Sequence, residues 1–283
     1  PTADPVKRRL ELDAAAEMVR SSYTSARNEE ERFIVADKAL ARYDQLLTAW
    51  KDEPSAQNDV RRARIDRMGA LLVRKRTSEV ISEYESLSAS GEVPNYAKRW
   101  VASAWLSERQ PEKTEAMLMS IYYPNGPIPV TPLGPEDQQD LFYAHIDNEN
   151  FDAAKKQVDA LIKDSPYLRR IYGSPTPQPN DNWLLGQSLL TQYHIAANEL
   201  PEAEKLAEHL ARTGSGNQGL RISYASVLEA RGLPHAAEKE LKLAEVIEPS
   251  NLELERQQAY VALDLQEWKQ ADELTDDVIA RSP

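Results

Sequence analysis

The sequence predicts an all-α solenoid of stacked helical hairpins wound as a right-handed superhelix, and three observations predict it. Small and terminating residues recur at a 34-residue interval in the last third of the chain. Between them, apolar residues recur at three- and four-residue spacing, the period of one helix face. No segment shows sustained period-two alternation, so no sheet is expected. Ala225 recurs as Ala259, Ala237 as Ala271 and Pro249 as Pro283, each pair 34 residues apart. That length accommodates two helices and a turn, with a small residue where the helices cross and a proline that cannot continue the second one.

The elements follow in chain order. In residues 1–98, PVKRRLELDAAAEMVRSSY, EEERFIVADKALARYDQLLTAW and the segments around RMGALLV and SEVISEYESL carry helical spacing. They predict two irregular hairpins with long helices that continue the array. Residues 99–283 read as more regular repeats. Trp100, Ala104 and Ala116 open one unit; DLFYAHI and NFDAAKKQVDALIKDSP, with Phe151, Ala154 and Pro166, form another; LPEAEKLAEHLA places Ala203 a full period before Ala237. From Ala116 to Ala154 the step is 38 residues and from Ala154 to Ala203 it is 49. Two proline-rich stretches, about 124–135 and 165–181, absorb the excess as loops. The period and its small-residue positions resemble the tetratricopeptide (TPR) repeat, in which each hairpin packs only on its neighbours. Length therefore sets no domain count.

Composition narrows the function classes. The chain has no cysteine, which excludes a disulfide framework and thiolate metal sites. No apolar run is long enough to span a membrane as a helix. The chain begins at Pro1 without an initiator methionine, which leads us to expect a piece of something longer. Residues 1–100 carry 18 Lys and Arg against 17 Asp and Glu, whereas residues 101–283 carry 16 against 29. The acidic excess belongs to the regular repeats and disfavours nucleic acid as a partner. The basic cluster Arg61, Arg62, Arg64, Arg67, Arg74, Lys75 and Arg76 is expected to face acidic helices around it.

Catalytic patterns are lacking. The string GSGNQG at 214–219 matches a dinucleotide-binding fingerprint, but it follows a helix rather than a strand and reads as a cap and turn. His145, His194, His209 and His235 have no partner at metal-ligand spacing. No enzyme, cofactor or metal is expected. What stands out is an aromatic one turn before an acid on the first helices of hairpins: Trp105 before Glu108, Tyr143 before Asp147, Tyr260 before Asp264. Aromatic rings stack on the apolar faces of sugars, while carboxylates accept hydroxyl hydrogen bonds and pair with ammonium groups. With Asp140, Trp183 and Glu229, these residues form the candidate polysaccharide-binding set of a concave face.

Five stretches carry a more specific resemblance: ERFIVADKALARY (31–43), WVASAWL with QPEKTEAM (100–117), DLFYAHIDNENF (140–151), PNDNWLLGQSLL (179–190) and NQGLRISYASVLEARGLPHAAEKELKLAEVIEP (217–249). Together they resemble the periplasmic TPR region of the PgaA/HmsH-type exporters of poly-β-1,6-N-acetyl-D-glucosamine (PNAG). The resemblance implies a periplasmic domain of a Gram-negative outer-membrane protein, ahead of a C-terminal β-barrel through which polymer leaves. It implies as partners partly de-N-acetylated PNAG and a periplasmic deacetylase lipoprotein of the PgaB/HmsF type. Two readings follow: a module that binds and guides the polymer while docking the deacetylase, or a purely protein-docking scaffold with no direct sugar contact.

Overall fold

The computed structural model describes residues 4–24, 26, 29–126, 128–164, 168–169, 178–179, 181–214, 216–249 and 251–281. The chain divides into two compact units, residues 1–133 and 134–283. Among the described residues the first unit pairs α1 (Pro5–Thr24) with α2 (Glu29–Trp50), α3 (Gln57–Val73) with α4 (Thr77–Ala89), and α5 (Asn95–Ser107) with α6 (Pro111–Tyr122). The second pairs α7 (Pro135–Asp147) with α8 (Phe151–Asp164), α9 (Asp181–Ala196) with α10 (Leu200–Thr213), α11 (Gln218–Ala230) with α12 (Pro234–Ile247), and α13 (Leu252–Asp264) with α14 (Trp268–Arg281). Each unit is thus a stack of helical hairpins, and α1 and α2 are 20 and 22 residues long.

Within each unit, helices pack on their chain neighbours, and the first helices of successive hairpins also touch: α1 on α3, α3 on α5, α7 on α9, α9 on α11, and α11 on α13. Among the described residues no pair of second helices packs comparably. The first helices therefore share one face of each stack. Arg8 ties the first two hairpins together: it is buried, donates to Asp59 at 2.7 Å and reaches the Ser55 carbonyl at 3.0 Å.

A recurring turn sets the register. Lys75, Arg109, Glu149, Asn198, Gly232 and Gln266 all take positive φ, between 57° and 70°, between the two helices of their hairpins. At each, the amide three residues after the helix end bonds back to a carbonyl five residues earlier, as in Arg76 to Leu71, Gln110 to Trp105 and Glu267 to Ala262. These left-handed closures satisfy carbonyls at the helix ends. Seven residues before the turn stand Met68, Ala102, Phe142, Thr191, Ala225 and Ala259, and five after it Val80, Thr114, Ala154, Ala203, Ala237 and Ala271; all are buried.

This frame corrects one reading of the sequence. Ala116 is exposed, and its expected place is taken by Thr114, whose hydroxyl satisfies itself on the Ala102 carbonyl at 2.8 Å. The step to Ala154 is accordingly 40 residues rather than 38. The frame also reaches into the first hundred residues, since Lys75 stands 34 before Arg109. A second correction concerns the absence of sheet: Leu168–Arg169 pairs antiparallel with Gln178–Pro179 inside the second proline-rich stretch. Residues 165–167, 170–177 and 180 of that stretch, Pro166 included, and Pro283 lie outside the described residues. In the first stretch, the Val130 amide closes onto the Tyr122 carbonyl at 2.8 Å.

Only one of the six closures uses glycine, although L-residues pay to adopt this conformation. Gln266→Gly is therefore expected to stabilise the last hairpin by about 0.5–1 kcal/mol, the relief of left-handed strain exceeding the added freedom of the unfolded glycine. A thermal melt showing a lower midpoint would contradict that balance.

Candidate functional site

On the shared face of first helices in the second unit, α7, α9 and α11 enclose a concavity of about 320 Å³. Its walls are built from residues one turn apart, which a helix places on a single side: Gln139 and Tyr143 on α7, Ser188 and Gln192 on α9, Gly219 and Ser223 on α11. Gln139 and Tyr143 stand ten and six residues before the Glu149 turn, and Ser188 and Gln192 stand ten and six before the Asn198 turn. The repeat frame thus places equivalent side chains side by side. Asn217 caps α11, its side-chain oxygen accepting from the Leu220 amide at 3.3 Å, and brings the start of that helix to the rim.

Tyr143 is the one aromatic among the described residues of this wall. Its ring meets Phe142 edge-on at 5.3 Å. Burial pushes the phenol above its ordinary range and the charges of Glu253 and Asp147 push it further, against a hydrogen bond from Gln139 that lowers it. Two carboxylates, one at the end of α7 and one on α13, therefore act on a neutral phenol. Asp147 and Glu253 are both exposed, and Glu253 accepts from Arg256 at 2.6 Å.

The other expected site residues are distributed as follows. Asp140 and Trp183 are half-buried on α7 and α9. Tyr260 is 51% exposed on α13 and occupies the frame position of Tyr143, with exposed Asp264 at that of Asp147. Glu229, half-buried on α11, accepts a hydrogen bond from Gln257. Its carboxyl is pushed up by burial and then by the like charge of Asp264, so the structure brings these two acids together. Trp105 and Glu108 belong to the first unit. Trp105 is only 8% exposed, packs edge-on against Tyr84 at 5.7 Å, and lies under the Lys113 ammonium at 5.5 Å. Four residues before the Arg109 turn, it points between helices and fills the core. Glu108 caps the end of α5 and accepts from the Thr77 hydroxyl.

Gln139, Ser188, Gln192, Ser223 and Glu253 were not singled out from the sequence. For Gln139, Ser188 and Gln192 the signal is positional: once the turns are known, polar residues ten and six upstream identify the face, whereas Ser223 and Glu253, nine and thirteen residues before their turns, carry no such signal.

The basic cluster is consumed internally. Arg62 pairs with Asp13 at 2.7 Å, Arg64 with Glu83 at 2.5 Å, Arg67 with Asp44 at 2.8 Å, Arg74 with Asp37 at 2.9 Å and Lys75 with Glu29 at 2.5 Å, while Arg61 binds the Glu92 carbonyl at 2.8 Å. It faces acidic helices as expected, and few of its charges are left for phosphate. The glycine string links α10 to α11: Gly214 ends α10, where an added Cβ would meet Leu220 at 2.5 Å, and Asn217 starts α11. His194 bonds Glu199 at 2.7 Å. Among the described residues no group of three or more His, Asp or Glu side chains could hold a metal ion, and no helix is long and apolar enough to cross a membrane.

No protein-family model matches the chain. It is 46% identical over 275 residues, 97% of its length, to the poly-β-1,6-N-acetyl-D-glucosamine export proteins of Escherichia coli K12 and O157:H7, and it spans 34% of the length of each. Among solved structures, a tetratricopeptide repeat protein from Parabacteroides merdae matches with a TM-score of 0.63 at 14% identity, covering 96% of this chain and 94% of that one. That likeness concerns the fold. The chain is thus a tetratricopeptide-type helical solenoid that is similar, along nearly its whole length, to about a third of the poly-β-1,6-N-acetyl-D-glucosamine export protein.

Proposed function

We propose that this chain is the periplasmic scaffold of a PNAG exporter in a Gram-negative envelope. On this reading it binds partly de-N-acetylated polymer along the first-helix face, guides it toward an outer-membrane β-barrel, and docks the periplasmic deacetylase. It acts as a binding module rather than an enzyme. One observation carries the reading: Tyr143 and Tyr260 occupy one frame position and Asp147 and Asp264 another, so the face repeats an aromatic beside an acid. The aromatics offer stacking for sugar rings, the amides and hydroxyls of the concavity offer hydrogen bonds, and the carboxylates attract ammonium groups. The net charge of −13 over residues 101–283 strengthens that attraction at a distance. Repeated weak contacts suit a polymer that must be held and passed on.

The test is a titration with partly deacetylated and fully acetylated glucosamine oligomers in parallel. A solvated ion pair contributes about 1 kcal/mol or less. Asp147→Asn with Asp264→Asn is therefore expected to weaken the amine-bearing oligomer by up to about thirtyfold. The fully acetylated oligomer should be nearly unaffected, and added salt should weaken the parent in the same selective way, because exposed charges are screened beyond about 8 Å at physiological ionic strength. A folded double variant that binds both oligomers as the parent does would leave the purely protein-docking scaffold as the better account.

A further inference from the structure

We infer that the concavity between α7, α9 and α11 is a subsite for an acetamido-bearing sugar residue, distinct from the carboxylates that attract free amines; this rests on the proposed polymer binding. Three observations lead here. Among the described residues, the polar side chains lining the hollow are Gln139, Tyr143, Ser188, Gln192, Asn217 and Ser223, and no carboxylate or ammonium lines it. Primary amides and hydroxyls both donate and accept, which matches the N–H and C=O of an acetamide and gives no net attraction to a cation. The start of α11 lies at the rim, and its partial positive charge favours a carbonyl oxygen and opposes an ammonium. The leucines between the polar ladders, Leu185 and Leu189 among them, offer an apolar surface for the acetyl methyl.

The acids lie elsewhere. Asp147 and Glu253 act on the Tyr143 hydroxyl without lining the hollow, and the Glu229 carboxyl on α11 feels the like charge of Asp264 on α13. The face thus separates a neutral pocket from acidic flanks, an arrangement that fits a chain in which acetylated and free-amine residues occur together. Binding would be tightest where an acetylated residue seats in the hollow while a neighbouring amine meets an acid.

Gln192→Ala and Gln192→Glu test this, with melting curves confirming that each is folded. The probes are a fully acetylated and a fully deacetylated β-1,6-linked glucosamine oligomer of equal length. Removing one neutral hydrogen-bonding group is expected to weaken the acetylated oligomer by about fivefold, leaving the deacetylated one within about twofold. Gln192→Glu places a carboxylate in the hollow and is expected to reverse the preference, weakening the acetylated oligomer and strengthening the deacetylated one. Variants that change both oligomers alike, or neither, overturn the subsite while leaving the binding function standing. A parent chain that binds neither oligomer shows instead that the binding function itself is wrong, and the subsite falls with it.

Discussion

Trp105→Ala is expected to cost the first unit about 3–5 kcal/mol, the range for emptying a buried tryptophan site. The ring is 8% exposed, and it joins the core formed with Val80, Leu87 and Val101 while meeting Tyr84 edge-on at 5.7 Å. No neighbour can collapse into a void of that size without leaving its own contacts. Trp105→Phe keeps a ring and removes an indole N–H that is buried without a hydrogen-bond partner, so it should recover most of the loss. Chemical denaturation distinguishes this from a ligand-binding role. A Trp105→Ala chain with parental stability and weakened sugar binding would return the residue to the binding face.

Ala237→Phe is expected to cost about 1–3 kcal/mol by overpacking. Ala237 is fully buried at the position shared by Ala154, Ala203 and Ala271, within a core that includes Ala225, Leu228 and Leu241. Its hairpin packs on α10 and α13 as well as internally, so a displaced α12 disturbs neighbours on both sides. The matched control is Ala116→Phe, an exposed site outside the frame, where a change within about 0.5 kcal/mol is expected. Thermal melts in which Ala116→Phe is the more damaging of the two would contradict the repeat register.

The fold was legible where the repeat uses alanine and proline, because those residues mark close crossings and helix ends whatever surrounds them. It blurred at Thr114, Phe142 and Thr191, which hold the same positions with larger side chains. None of the left-handed turns was read from the sequence, and Lys75, Arg109, Glu149 and Gln266 are not residues that announce that conformation. The site was legible only in part. Tyr143/Asp147 and Tyr260/Asp264, each four residues apart, stand at equivalent positions of the first helices, whereas Trp105 stands three residues before Glu108 and its ring is turned into the core. The distance to the turn says which way a ring points: six residues for the two tyrosines, four for Trp105. The amide and hydroxyl walls were silent because glutamine and serine are ordinary on any solvated helix until neighbouring helices line them up.

The central claim is that the first-helix face of the second unit contacts sugar directly. The most direct measurement is a map of NMR perturbations on adding partly deacetylated β-1,6-glucosamine oligomer to the chain with no partner protein present. The account predicts shifts concentrated at Tyr143, Ser188, Gln192, Ser223 and Tyr260, weakening with salt at Asp147 and Asp264 before they weaken in the concavity. Shifts confined to the exposed surfaces of α8, α10, α12 and α14, or none at saturating oligomer, would contradict it.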